Sequence, residues 1–549
     1  MKRKNYLIVS LVFLTIIFLF ISCKKGGTGK NDSPDYPIDI SIFSTSTMRQ
    51  PPSDNKIYKW IKEKYNVTFT WDILVGQRDQ KIGVMIAGED YPDLLLLDKR
   101  FLEAKALIPL EDLIEKYGPR LRQHYDGIWE KLKEDDGHIY NMPIWGVTYG
   151  KDQGIWYGDA ALFIQKAVLK EFGYPSIKTL DEYVDLLYKY KEKYPTINGQ
   201  PTIAFTTLAH DWHSYCMINP PLFLAGFPND GNGTIDPNTN EYKVFLYQDI
   251  SKRWFKVFNK MNSMGMVDRS CFIENYDQYL AKIASGRILG FHDQAWHIKQ
   301  AEDSLNTQGM YNRTYAPLPI VFDESIRPHY RSRPAPNVVN GLCISIKAKD
   351  PVRIIRFLDA QLSEEAQKIF CWGFEGEDYQ YDENKKPYRT AEQRKQQEDD
   401  GWKLHNRAEL WTSHNPKIQG SFSDGYPTNL ADIYSEREAT QKPEDKELWA
   451  AYGVTSYPEL MDKDPPPNSI WFPAWQIQFA ESSDAKIAWQ RAESVYRKYL
   501  PRIILAQPNQ FEELWAEYIA ELKKTGLEKY EAYMQKEINK RIEKWSPKK

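Results

Sequence analysis

The sequence predicts an α/β protein built as two domains or as one very large one. Three observations carry that expectation. The chain has 549 residues, beyond what one small core organises. Behind a short N-terminal segment, compact apolar runs alternate with amphipathic helical stretches, the pattern of a largely parallel sheet flanked by helices. Aromatic residues make up 14% of the chain, with 17 Trp among them, and flat side chains in that number suit stacking on ring-shaped ligands.

Charge and cysteine content narrow the function classes. A net charge of −3, with no basic helix or arm, gives no nucleic-acid footprint. Of five cysteines, Cys216, Cys271, Cys343 and Cys371 show neither metal-ligand spacing nor a disulfide framework, and they read as small buried apolar residues.

Residues 1–22 read as an address. Lys2, Arg3 and Lys4 precede an apolar run over residues 7–21, shorter than the roughly 20 residues of a membrane span and suited to a secretory leader. The sequence Phe20-Ile21-Ser22-Cys23 resembles a bacterial lipobox, with Phe20 where Leu is usual, which implies that Cys23 becomes an acylated first residue. An uncleaved anchor is the alternative, and both place the body outside the cytoplasmic membrane. Residues 23–37, rich in Gly, Lys, Asp, Ser and Pro, have the composition of a flexible tether.

The body begins with a strand over residues 38–43. A helix follows over 55–65, with Ile57, Trp60 and Ile61 on one face and Ser53 or Asp54 as cap. Then come a strand at 67–71, a short helix at 81–87 and a buried strand at 94–97. Ligands of such sheets gather at the carboxyl ends of strands, which draws attention to Ser44, Thr45 and Arg49.

Residues 139–159 hold five aromatics (Tyr140, Trp145, Tyr149, Trp156, Tyr157) and four glycines, with neither helical nor alternating periodicity. The stretch reads as a crossing between two lobes with aromatics facing a cleft, or as a buried loop with a few core rings.

Residues 81–98 (KIGVMIAGEDYPDLLLLD), 106–121 (ALIPLEDLIEKYGPRL) and 135–145 (DDGHIYNMPIW) are similar to the N-terminal lobe of family 1 extracellular solute-binding proteins of ABC importers. The likeness is to the large oligosaccharide-binding lipoproteins, a group that includes alginate-binding members. It resumes at residues 339–370 and at 371–389 (CWGFEGEDYQYDENKKPYR), and coverage runs from about Pro37 to near the C-terminus. The resemblance implies a two-lobed α/β fold of the periplasmic-binding-protein type (type II), each lobe a mixed, mostly parallel sheet flanked by helices, with a helical C-terminus. Lobe 1 would comprise residues 38–145 and 331–385, and lobe 2 residues 146–330 and 386–549. It further implies a monomer that captures an oligosaccharide by hinge closure, without enzymatic activity or cofactor. The sugar would pass to a permease pair driven by cytoplasmic ATPases. The pattern breaks at residues 161–169, where Gln165, Ala167 and Val168 stand in place of the family's Arg, Asp and Trp.

Candidate site residues follow in chain order. Alginate-binding members carry a calcium loop where this chain has residues 195–200, with side-chain oxygens only from Thr196, Asn198 and Gln200. Calcium takes six to eight oxygens including carboxylates, so no ion is expected. Two histidines three apart, His210 and His213, could face a zinc ion but lack an evident third ligand, and a polar rim or packed imidazoles is the expectation. Residues 231–240 read as a hairpin tip. In residues 290–296, Asp293 could bond sugar hydroxyls while Trp296 stacks on a ring, as the family places a Trp near this point, although a core position is the alternative for Trp296. Arg327, Arg331 and Arg333 suggest either a fork for an acidic sugar or an ordinary solvated insertion. The expected ligand surface is Ser44, Arg49, Trp145, Trp156, Tyr157, Asp293, Trp296, Arg333 and Trp411. The stretch 402–473 supplies further aromatics among turns, and helices close the chain at 486–500, 511–522 and 527–545, with Trp515 in the core. An aromatic cleft also suits a tethered polysaccharide-degrading enzyme, which needs two carboxylates across a bond. A peptide-binding or sensor-coupled protein is the third possibility.

Overall fold

A computed structural model describes residues 36–46, 48–150, 154 and 156–546. The leader, Cys23 and most of the tether lie outside these residues. The first lobe is built on strands β1 (Ile38–Ser44), β2 (Val67–Ile73), β3 (Leu94–Leu96) and β4 (Met142–Pro143). The second takes β5 (Ala160–Gln165), β6 (Ile203–Thr206), β7 (Ile288–Gln294) and β8 (Tyr315–Leu318). The chain then returns to the first sheet as β9 (Gly341–Ile344), which pairs antiparallel with both β3 and β4. The orders are β2-β1-β3-β9-β4 and β8-β5-β7-β6. Both sheets are mixed: β1 runs parallel to β2 and β3 and β7 parallel to β6, while β5 runs against β7 and β8.

Strand character follows burial. Every residue of β5 is buried, as expected for a central strand covered on both faces, and its apolar run ends in Gln165. That glutamine donates from Nε2 to the carbonyls of Gly286 and Ile288, at 2.9 Å each. At the departure from the family pattern, then, a neutral amide ties the end of β5 to the start of β7. The first helix, Lys56–Tyr65, is capped by Asn55 rather than by Ser53 or Asp54: Asn55 Oδ1 accepts from the amides of Ile57 and Tyr58. Its Nδ2 donates to the carbonyls of Leu404 and Arg407, at 2.8 Å each, so one buried amide fixes a helix start and a distant segment together.

Two large cores result. Ile40, Ile42, Leu94, Leu342 and Phe357 belong to that of the first lobe; Leu162, Phe205, Trp254 and Phe291 belong to that of the second. Helices Asp484–Leu505, Phe511–Lys523 and Leu527–Trp545 pack into the second core, Trp515 among them. The long one extends past both expected ends and carries Pro501 inside it. The expected change of lobe at residue 385 is corrected by packing. Ala408 and Trp411 are in the first core, and the chain joins the second core at Leu448 and Trp449.

Residues 196–201 form a two-stranded hairpin, turned by Asn198 and Gly199 at positive φ. Residues 233–244 form another, whose Asp236 carboxylate accepts from the amides of Asn238 and Thr239. Among the described residues, Cys216, Cys271, Cys343 and Cys371 are free thiols, the first three buried, and no helix is long and apolar enough to cross a membrane.

An aromatic face at the junction of the lobes

Strand directions decide what faces the gap between the lobes. Strands β1, β3 and β4 run the same way, so Ser44, Leu96 and Pro143 end at one edge of the first sheet. In the second sheet β6, β7 and β8 run together and β5 runs against them, so Thr206, Gln294 and Leu318 share an edge with the start of β5 at Ala160. The chain leaves the first of these edges at Ile144 and reaches the second at Asp159. Residues 144–159 therefore connect the carboxyl edges, where ligands of such sheets collect.

The junction is crowded with backbone. Gly146 has φ +91°, and a Cβ there would lie 2.2 Å from the carbonyl oxygen of Ala335, so only glycine lets the outgoing chain pass the returning one. Trp145 accepts at its carbonyl from the Asn337 amide at 3.3 Å, and residues 148–149 pair in parallel with 419–420. Three stretches of chain thus meet beside the gap.

Four tryptophans lie along these edges with much of their surface open: Trp145 at 37% exposure, Trp156 at 50%, Trp296 at 47% and Trp212 at 60%. Single exposed apolar side chains are ordinary, but a contiguous open patch marks an interaction surface, and Trp212 and Trp296 form one. Trp296 follows β7, Trp212 lies beyond the end of β6, and Trp156 precedes β5. The Trp212 and Trp296 rings are near-parallel, 7° apart in plane with centroids at 6.4 Å, and Trp296 Nε1 donates to Gln294 Oε1. Trp212 also lies against His213, at 3.9 Å, and Tyr215, at 5.9 Å.

Beneath this open pair sits a buried layer. The His297 ring stacks on Tyr276 at 4.3 Å and on His213 at 4.8 Å. Its Nδ1 bonds Asp293, whose carboxylate also accepts from the hydroxyls of Tyr215 at 3.0 Å and Tyr279 at 2.8 Å and from the Gln294 amide at 2.7 Å. Burial works to raise the Asp293 pKa, but the His297 contact and the other donors outweigh it and hold the carboxyl below its ordinary value. Burial pushes the neighbouring Cys216 thiol far up and lowers His213. Cys216, Asp293 and His297 place metal-ligand-type atoms within 4.8 Å of one another. With four donors already on Asp293 and the thiol held neutral, the group is better accounted for as a hydrogen-bond network that supports the two tryptophans than as an ion site.

The structure sorts the expected site residues. Trp145, Trp156 and Trp296 are partly exposed beside strand ends: two residues after β4, four before β5 and two after β7 respectively. Arg49, exposed on the loop after β1, lies near Asp400, a carboxyl held below its ordinary value first by Lys403 and further by Lys299 and Arg49. Lys299 is on the helix Ala295–Thr307, so the Asp400 carboxyl feels cations from a first-lobe loop and from a second-lobe helix. Of the other five, Ser44, Tyr157, Asp293 and Trp411 are buried, which corrects the expectation of an open ligand surface there, while Arg333 stays half exposed. Ser44 is fully buried and its hydroxyl accepts from the Ser46 amide. Tyr157 is buried, with its hydroxyl on the carbonyls of Ala160 and Tyr330. Asp293 is enclosed by its donors. Trp411 is packed at 4.5 Å from Phe69 with its Nε1 on Gln361, inside the first core. Arg333 donates from Nε to the Pro465 carbonyl at 3.1 Å. Arg327 and Arg331 likewise bond the chain at 462–464, so the three arginines clasp the returning crossing to a neighbouring loop. Trp212 was missed. It lies between Asp211 and His213, six residues beyond the end of β6, and a large aromatic inside the polar run His210-Asp-Trp-His213 was the available signal.

No family model matches the chain. The fructooligosaccharide ABC transporter substrate-binding protein FusA of Streptococcus pneumoniae is 24% identical over 407 residues, 69% of this chain and 73% of that protein. Its structure in complex with kestose superposes with a TM-score of 0.62 at 18% identity, covering 92% of this chain and 99% of the other. The alginate-binding protein AlgQ2 gives 0.61 at 17% identity, with the same coverage. A human-milk-oligosaccharide (HMO) binding solute-binding protein from Bifidobacterium longum infantis gives 0.60 at 16%, again over 92% and 99%. These likenesses establish the two-lobed fold of ABC-transporter substrate-binding proteins.

Proposed function

We infer that this chain, which has the fold of family 1 solute-binding proteins, captures an oligosaccharide between its two lobes for an ABC importer. One observation supports the reading: open tryptophans stand beside the carboxyl edges of both sheets, with Trp212 and Trp296 parallel and braced from beneath. Sugar rings present flat C–H faces to such surfaces, and aromatic side chains give large contact area at low entropic cost. The relatives named above, which bind fructo-oligosaccharide, alginate and milk oligosaccharides, support the same class. The contact residues on this reading are Trp145, Trp156, Trp212, Trp296 and Arg49.

The lobes close on the ligand about the junction at Gly146, as hinged binding proteins do. The protein acts as a monomer and without catalysis. It is held outside the cytoplasmic membrane by a lipid on Cys23, and it delivers its ligand to permease subunits coupled to ATPases. Arg333 donates from Nε to the loop at 462–465, which leaves Arg49 as the cation among these contacts that an acidic sugar would use.

Titration calorimetry with a panel of neutral and acidic oligosaccharides tests the reading. A binder takes up at least one and returns it unaltered; new products on chromatography would identify a polysaccharide-degrading enzyme instead. Binding of a peptide with no response to any carbohydrate would overturn the substrate class. Replacing Cys23 by Ser should move the protein from the membrane to the soluble fraction, and its retention in the membrane would argue for an uncleaved anchor.

A further inference from the structure

Beside the tryptophan strip lies a cavity of about 160 Å³ that includes Trp156, Lys166, Glu302, Asn306, Asp445 and Tyr457 in its lining. Its walls come from β5, β8, the helix Ala295–Thr307 and the segment 442–457. Trp156 and Ala295, which directly precedes Trp296, mark the end of the cavity near the open tryptophans, while Lys166 after β5 and Tyr315 at the start of β8 lie toward the opposite edge of the second sheet, so the cavity runs back from the strip along these strands. A water takes about 30 Å³ in the liquid. The cavity therefore has room for one small ring with its hydroxyls and not for a chain of them.

Its chemistry is polar and nearly balanced in charge. Lys166, with its side chain 8% exposed, pairs with Asp445 at 2.6 Å, and the Tyr457 hydroxyl donates to the same carboxylate. Glu302 accepts from the Tyr315 amide at 3.0 Å; burial pushes its carboxyl up, with Lys166 acting against that. An ammonium has three donors and a carboxylate about four acceptor sites, so these groups keep capacity beyond their bonds within the protein. A neutral polyol satisfies both kinds of group at once. Because Lys166 is already paired with Asp445 and the lining charges balance, a uronate or an amino sugar would bring a net charge into the cavity without an unpaired counter-charge to meet it, at a desolvation cost.

We propose that this cavity is an end subsite, in which one uncharged terminal sugar unit lodges past Trp156 while the rest of the chain lies on the strip. The proposal rests on the oligosaccharide reading above and adds where the chain ends and what charge its last unit has.

The test uses the full-length protein and calorimetry with kestose, maltotriose, mannotriose, xylotriose and an alginate trisaccharide. The variant Asn306→Trp plugs the cavity from its helix wall. It should weaken the neutral trisaccharide that the wild type binds best by tenfold or more. Glu302→Gln keeps the acceptor for the Tyr315 amide and removes the charge; it should weaken the same sugar about fivefold, and it decides the matter if the plugged variant does not fold. Wild-type affinity in both folded variants, or in Glu302→Gln alone where the other fails to fold, would overturn the subsite while leaving the oligosaccharide reading intact. Tightest wild-type binding to the alginate trisaccharide would overturn the uncharged end unit. No binding by the wild type to any of the five would overturn the reading on which the subsite rests.

Discussion

At the scale of single residues, exposure rather than identity separates the tryptophans of this chain. Trp411 and Trp254 are fully buried and Trp212 and Trp296 are open, yet nothing in residue type distinguishes them. Replacing Trp212 or Trp296 by Ala should weaken oligosaccharide binding by roughly 10- to 100-fold, about 1.4–2.7 kcal/mol, with the melting temperature within a few degrees of wild type. Calorimetry and thermal melts check both parts, and full affinity in the double variant would remove the strip from the site. The residue scale also holds a pH effect. Asp230 is buried, accepts from the Ala474 amide at 2.8 Å, and burial pushes its pKa up to about 6. Between the unfolded value near 3.9 and 6 the native state binds more protons than the unfolded one, so this group's contribution to stability falls as pH rises through that window. The cost at neutral pH is about 3 kcal/mol. Asp230→Asn keeps an acceptor for the amide and should remove that slope, seen as a stability gain over wild type at pH 7.5 that vanishes near pH 4.

Periodicity carried the elements well wherever one face meets a core. The helix Leu527–Trp545 was legible to the residue because Leu527, Tyr530, Met534 and Ile538 repeat at helical spacing and are buried. Caps and ends were harder. Asn55 was passed over for its neighbours because its decisive partners, the carbonyls of Leu404 and Arg407, lie some 350 residues away in sequence. Asp293 shows the same limit at the site: a carboxylate after a strand looks like a ligand group, and only the fold brings Tyr215, Tyr279 and His297 around it. The hairpin at 196–201 makes the complementary case. Its turn is set by Asn198 and Gly199, and the stretch 195–200 offers no carboxylate. Calcium should therefore leave the melting temperature unchanged in the presence or absence of chelator, and a calcium-dependent rise lost on replacing Asn198 would show an ion at this loop.

For the whole molecule, the arrangement of charges and crossings predicts how it moves. The two cores are joined where residues 145–149, 335–338 and 419–420 meet, and again where the C-terminal helix reaches the first lobe: Lys540 pairs with Asp135, and Lys544 donates to the Lys133 carbonyl. Away from the backbone junction, the Asp400 carboxyl is influenced by both Arg49 of the first lobe and Lys299 of the second. A ligand that touches Trp296 on one lobe and Arg49 on the other contacts both only when they approach, so it favours the closed state by its differential affinity for it. Small-angle scattering should accordingly show a smaller radius of gyration on adding a bound oligosaccharide, and the Trp212→Ala, Trp296→Ala double variant should show none at the same sugar concentration. Gly146→Val sets a side chain against the Ala335 carbonyl at a left-handed φ. It should lower stability by about 1–3 kcal/mol and blunt the compaction even with saturating sugar. Saturated binding by the wild type with an unchanged radius would mean that the cleft is preformed and that Gly146 serves packing alone.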